Sequence, residues 1–382
     1  MDDIVDLLFK SATSNAPDTG EEDNDFMFGP SSPEDAEIAN VARQLRVRIN
    51  ILGCGGAGSN TISRLYKEKV SGADLIALNT DASHLYYITS PAKLLIGERS
   101  TLGRGTGAQP MLGEQAALED ISKIQKMVQK SDICFITCGL GGGTGTGSAP
   151  IIAKAAKEAG SLVISVVTLP FTAEGPVRMN NAILGLEKLS QYSDTVIAIP
   201  NDKLLQAVPK KPLEEAFEYA DSVLSEAIKG ITEMITKTGL INLDYADIKT
   251  IMKDGGVAMI GMGESAGGND RVLFSLDDAI SSPLVEADIS QAKNCLIRVI
   301  GGPNMTVSEA EKAMSEIQKR IDKDARIIWG ASIDQSYGDK IKVLILLTGV
   351  RSPYMLSGRN DARRLGKMMG GYVDDIGIDM IS

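Results

Sequence analysis

Six short, nearly unbroken apolar runs dominate the first half of this 382-residue chain: VRINILG from Val47, ADLIALN from Ala73, KLLIG from Lys93, DICFITC from Asp132, LVISVVTLP from Leu162 and TVIAIPN from Thr195. Helix-length segments separate them. Strand-length runs without polar alternation bury both faces, which is the pattern of a parallel sheet covered by helices on either side. Residues 46–212 are therefore expected to form a Rossmann-like α/β domain. Next, Leu213, Ala216, Phe217, Ala220, Leu224, Ala227, Ile231 and Ile235 recur at spacings of three and four. That periodicity predicts a single central helix over 213–237, roughly 36 Å long. The runs GVAMIGMGE, NCLIRVIG, RIIWGASI and KIKVLILLTGV then mark a second, smaller α/β domain over 238–350, with helices near 270–281 and 306–320.

The two ends differ from this body. Residues 1–40 hold eleven acids and one base, Lys10, and so carry ten of the chain's eleven excess negative charges. Residues 1–45 read as an acidic, largely disordered extension, and 351–382 as a flexible tail. The body is close to neutral, so no basic face for nucleic acid is expected. No apolar run is long enough to span a bilayer, and the acidic start lacks a signal peptide's basic region. A cytoplasmic protein without direct membrane insertion is the expectation. The four cysteines form no CxxC pair and His84 is the only histidine. That excludes a zinc site of the usual kind and makes a Ser-His-Asp hydrolase implausible. Reduced, buried thiols are expected.

Two glycine-rich segments each join a strand to a helix. GCGGAGSN, residues 53–60, contains G-x-G-x-x-G at Gly53, Gly55 and Gly58. Alone it is a weak dinucleotide fingerprint, and it leaves a nicotinamide oxidoreductase as an alternative. The second, GLGGGTGTGSAP, residues 139–150, argues against that alternative. Ser148 is expected to cap its helix and Pro150 to lie in the first turn. Each segment turns backbone N–H groups and a helix N-terminus toward an anion. Two on one sheet edge suit a triphosphate, and a third glycine-rich loop, GRGTGAQP at 103–110, is placed to reach its terminal phosphate. No GxxxxGK[ST] is present. Phosphate charge must then be met by backbone dipoles and Mg²⁺ held by the phosphates themselves, with no protein metal site.

GGGTGTGSAP resembles the signature of the tubulin/FtsZ family of GTPases, and the resemblance runs in order over about 46–350. GCGGAGSN, NTDASHL, GRGTGAQP, PFTAEGPVR, IPNDKLL, AFEYADSVL and GLINLDYADIKTIM look like its successive nucleotide and catalytic segments. The resemblance implies a tubulin/FtsZ fold and binding of GTP and GDP. It implies phosphate contacts from Gly55, Gly56, Ala57, Gly58, Ser59 and Asn60, and from Gly142, Gly143, Thr144, Gly145 and Thr146. Glu174 and Arg178 match ribose and phosphate contacts; Asn201, Phe217 and Asp221 match base contacts. Phe217 can stack on a purine, and the Asp221 carboxylate can accept the paired N1–H and amine donors of guanine, which adenine lacks.

The expected catalytic groups are Asp244 and Asp247, with Asn242 beside them. Asp244 and Asp247 share one face of a helix start, and such a pair can position or deprotonate a water. They follow the far end of the long helix, whereas Phe217 and Asp221 lie at its near end, on the order of 30 Å away. They cannot serve their own nucleotide. Serving a neighbour's requires a heterologous contact that does not close, hence a filament. The family works in this way, and its members build the cell-division ring; a filament for cell shape or scaffolding is the alternative. The C-terminal GIDMIS is similar to archaeal members, whose ends dock on SepF-type membrane anchors. That implies an anchor-binding peptide over 372–382 and a location at the division site beneath the membrane.

Overall fold

The computed structural model describes residues 46–207, 212–237, 241, 244–268, 270–282, 284–285 and 289–350. The expectations for Asn242 and for the segments 1–45 and 351–382 lie outside these residues. Among the described residues ten strands form one sheet: β1 (Ile49–Cys54), β2 (Ala73–Asn79), β3 (Ala92–Leu95), β4 (Ile133–Gly139), β5 (Leu162–Leu169), β6 (Thr195–Pro200), β7 (Gly256–Ala266), β8 (Asn294–Gly301), β9 (Arg326–Ile333) and β10 (Lys340–Thr348). Their order is β3-β2-β1-β4-β5-β6-β7-β10-β8-β9. The first six are parallel to their neighbours. β1 and β5 are buried along their whole length, which is why their sequences show no alternation.

The second half continues the same sheet. β7 joins β6 in parallel through Thr195↔Gly256, Val196↔Val257 and Ile197↔Ala258. Beyond it β10 pairs antiparallel with both β7 and β8, and β9 lies parallel to β8. The sheet is therefore parallel on one side and mixed on the other.

The helices used below are α1 (Gly55–Lys67), α2 (Pro110–Glu119), α3 (Thr144–Glu158), α4 (Pro176–Ser190), α5 (Leu213–Thr236) and α6 (Tyr245–Met252). α5 is the long helix. Its residues Ala220, Val223, Leu224, Ala227, Ile228, Ile231 and Met234 are buried in one core with Ile62 and Leu65 of α1, Ile164 and Val166 of β5, and Leu296, Leu344 and Leu346 of the second half. It thus packs on both halves at once. Gly230 lets the two surfaces approach, since a Cβ there would stand 2.6 Å from Leu344 Cδ1. Nearby, Arg298 of β8 donates to the Gly230 carbonyl at 2.8 Å and to Glu233 Oε2 at 2.9 Å. Both side chains of this pair are almost fully buried. Burial pushes the Glu233 carboxyl up, but Lys237 and Arg298 outweigh it and hold it below its ordinary value.

Candidate functional site

Parallel strands bring their carboxyl ends to one edge, and the glycine-rich segments gather there. β1 ends at Cys54 and α1 begins at the next residue. α3 begins at Thr144 with Gly143 as its N-cap. Both glycine segments are thus the opening turns of helices, where free backbone N–H groups face outward. This corrects the expected cap. Helical bonding starts with Gly147 N donating to the Gly143 carbonyl, so Ser148 and Pro150 lie inside α3. The Ser148 hydroxyl instead donates back to the Thr144 carbonyl at 2.7 Å.

The glycines of this turn have separate physical reasons. Gly143 and Gly147 exist for close approach: a Cβ would stand 2.1 Å from Thr106 Oγ1 at Gly143 and 2.0 Å from the Pro110 carbonyl at Gly147. They press the loop 103–110 and α2 onto α3. Gly56 and Gly142 differ, because a Cβ at either would meet open space, and both face a cavity of about 240 Å³.

That cavity collects most of the expected residues. Gly56, Ala57, Gly142, Gly143, Thr144 and Gly145 form its floor; Glu174, Arg178, Asn201, Phe217 and Asp221 form its walls. Gly55 and Gly58 pack behind the floor against backbone. Ser59 is fully buried, with its hydroxyl unpartnered. Asn60 bonds to Asp221. Thr146 Oγ1 accepts from Gly141 N at 2.9 Å and so shapes the turn. Glu174 closes a short turn by accepting from Phe171 N at 2.9 Å and pairs with Arg178. Phe217 is 41% exposed and held edge-on by Phe171, with ring centroids 5.0 Å apart. Asn201 is buried, yet its Oδ1 has no partner.

Burial pushes the Asp221 carboxyl up to about 6, against the Asn60 hydrogen bond and the Arg64 charge that favour its ionised form. Burial also pushes the Cys54 thiol up to about 12, and Cys138 rises for the same reason. The thiols beneath the floor are neutral and offer no nucleophile.

The site fits a purine nucleoside triphosphate on four counts. Open floor at Gly56 and Gly142 admits phosphates. Two helix N-termini face them. A half-exposed aromatic ring and a half-buried carboxylate line the same wall, and an unpartnered amide oxygen completes it. Among the described residues no group of three or more His, Cys, Asp or Glu is arranged to hold a metal ion. Sequence reasoning named the loop 103–110 but no residue in it. Thr106 Oγ1 lies 3.3 Å from Thr144 Oγ1, which is 2.6 Å from Thr80 Oγ1. Phe171 was likewise missed. Threonines and a lone phenylalanine carry no spacing signal.

Asp244 and Asp247 are elsewhere. Asp244 is the N-cap of α6 and exposed; Asp247 lies in its first turn, half-buried. Tyr245 between them donates to the Asp132 carbonyl at 3.3 Å. Asp132 precedes β4, and the far end of β4, Gly139, is in the cavity wall. A strand of that length spans about 23 Å. The acids and the cavity therefore lie at opposite edges of the sheet.

A tubulin/FtsZ family GTPase-domain model matches residues 48–209, and an FtsZ family C-terminal-domain model matches 256–351. A protein named cell division protein FtsZ 1 from Archaeoglobus fulgidus is 54% identical over 84% of this chain and 87% of its own length. Its namesake from Halobacterium salinarum is 51% identical over 86% and 82%. The solved structure described as an empty FtsZ dimer from M. jannaschii superposes with a TM-score of 0.81 at 45% identity, over 92% of this chain and all of its own. The chain belongs to the tubulin/FtsZ family, and within it to the FtsZ cell-division GTPases of archaeal type. GTP is accordingly its nucleotide, and the nicotinamide alternative falls.

Proposed function

We propose that this GTPase polymerises head to tail into the filaments of the cell-division ring, and that each GTP is hydrolysed where two copies meet. The observation that carries the reading is the separation just described: the acids of α6 and the nucleotide cavity occupy opposite sheet edges. A copy stacked on the cavity brings its Asp244 and Asp247, with Asn242, against a neighbour's terminal phosphate. There they hold and deprotonate the attacking water. Such a contact uses two different surfaces and repeats without closing.

Within the cavity, Phe217 stacks on the base. Asp221 accepts from its N1–H and amine, with Asn201 as a further base contact. Glu174 and Arg178 hold ribose and phosphate, and the turns at 55–60 and 142–146 hold the phosphates. The phosphates themselves would hold Mg²⁺, which would offset part of their charge. At the C-terminus, 372–382 binds a SepF-type membrane anchor, which places the filament beneath the membrane at the division site. Supporting this, the apolar residues Ile376, Ile378, Met380 and Ile381 are interleaved with or follow Asp374, Asp375 and Asp379.

Two experiments test these statements. Phosphate release per molecule rises steeply through the concentration at which GTP drives the protein into a pellet; a flat rate from dilute to polymerised protein would refute the shared site. Removing 372–382 leaves GTP-dependent sedimentation intact and abolishes capture by the anchor. Undiminished capture would show that the anchor docks elsewhere.

A further inference from the structure

The loop 103–110 holds its shape against its own backbone preferences. Leu102 and Ala108, neither of them glycine, have φ of 53° and 61°, and Gly103, Gly105 and Gly107 are also left-handed. A side-chain-bearing residue holds that conformation only when its surroundings over-determine it. Several restraints come from the loop itself and from the segments beside it. Gly105 N donates to the Thr80 carbonyl and Gln109 N to the Thr106 carbonyl, each at 3.1 Å, and Thr106 meets Thr144.

A further restraint comes from a different element. Asn181, half-buried on α4 three residues after Arg178, directs its Nδ2 at two carbonyls at once: Ala108 at 3.3 Å and Gly141 at 3.5 Å. One is the strained residue of the loop and the other opens the glycine turn. The Thr106–Thr144 hydroxyl contact also joins these two segments directly, whereas Asn181 ties them together from a separate helix. Thr106, two residues before Ala108, stands in the cavity wall. A restraint on Ala108 is therefore a restraint on where Thr106 and its neighbouring N–H groups lie above the floor.

We infer that Asn181 is a positioning residue for the terminal phosphate: it clamps the strained loop 103–110 to the glycine turn, and so sets how strongly the site prefers a nucleoside triphosphate over the diphosphate. This rests on the GTP reading of the cavity. The physical basis is differential. On the GTP reading, the floor at Gly56 and Gly142 takes phosphates common to both nucleotides, and the loop, through Thr106 in the cavity wall, takes the group by which they differ. A ligand shifts an equilibrium only by its difference in affinity for the two states. Releasing the clamp lets Ala108 leave the left-handed region, and only the triphosphate has to restore it.

The test uses the full chain, at concentrations below assembly, with fluorescent GDP and a fluorescent non-hydrolysable GTP analogue. Asn181→Ala is expected to weaken the triphosphate analogue by about tenfold, the scale of one or two lost hydrogen bonds, and to leave GDP within about twofold. Adding Ala108→Gly, which removes the backbone strain, recovers part of the lost preference. Equal weakening of both nucleotides would make Asn181 a plain helix-to-loop staple and overturn the inference, as would unchanged binding of both. If the wild-type chain binds neither probe, the GTP reading itself has failed, an outcome distinct from either.

Discussion

Asp247→Ala binds GTP as the wild type does, sediments with it, and releases phosphate at least about a hundredfold more slowly, the low end of what a lost general base costs. The size of this effect separates it from damage to the fold. Asp247 lies in the first turn of α6, where an acid interacts favourably with the helix dipole by at most about 1 kcal/mol at a solvent-accessible position. A hundredfold in rate is about 2.7 kcal/mol of barrier, so a melting curve and a phosphate assay report separable losses. Polymers of the variant that hydrolyse at the wild-type rate would remove Asp247 from the reaction.

Asp221→Asn loses GTP by a factor on the order of 10⁴, because a buried site built for paired donors is left with a mismatched group. The same substitution stabilises the nucleotide-free protein at neutral pH. Burial pushes the carboxyl up to about 6 from an ordinary 3.8. With the folded value above the unfolded one, the folded state binds more protons between pH 4 and 6. Stability from this group is complete below about pH 4 and is lost as pH rises through about 6, a change of about 2–3 kcal/mol. Guanine binding has the opposite sign. It needs the carboxylate, so affinity falls as pH drops below about 6. Melts at pH 4.5 to 7.5, with and without GTP, read both slopes; GTP binding that ignores pH over that range would exclude Asp221 as the acceptor. The two variants also complement. Asp247→Ala keeps a working cavity and Asp221→Asn keeps working acids, so a mixture regains hydrolysis at junctions that neither protein makes alone.

The parallel sheet and the long helix were legible because each writes a local pattern: unbroken apolar strands, and an apolar stripe that occupies Leu213–Thr236. The opening of α3 was not. Glycine opposes helix by local propensity, and only contact with Pro110 and Thr106 shows why Gly143 and Gly147 begin one. The joining of β6 to β7 was hidden as well, since strand pairing across the intervening α5 leaves no mark on either strand. In the site, long-range order along the chain drew attention to Phe217 and Asp221. The threonine cluster and Asn181 act through partners 38 to 73 residues away, and nothing in their immediate neighbours announces them.

The placement of α6 at one sheet edge and the cavity at the other has a counting consequence. If hydrolysis needs both, a filament of n copies contains n − 1 working sites. One terminal copy presents an open cavity with no acids above it, and the other presents acids with no nucleotide beneath. The ends are chemically unlike, and the nucleotide at the open end outlives every one behind it. A short filament thus keeps a larger share of its GTP than a long one, and the GTP it keeps marks one end.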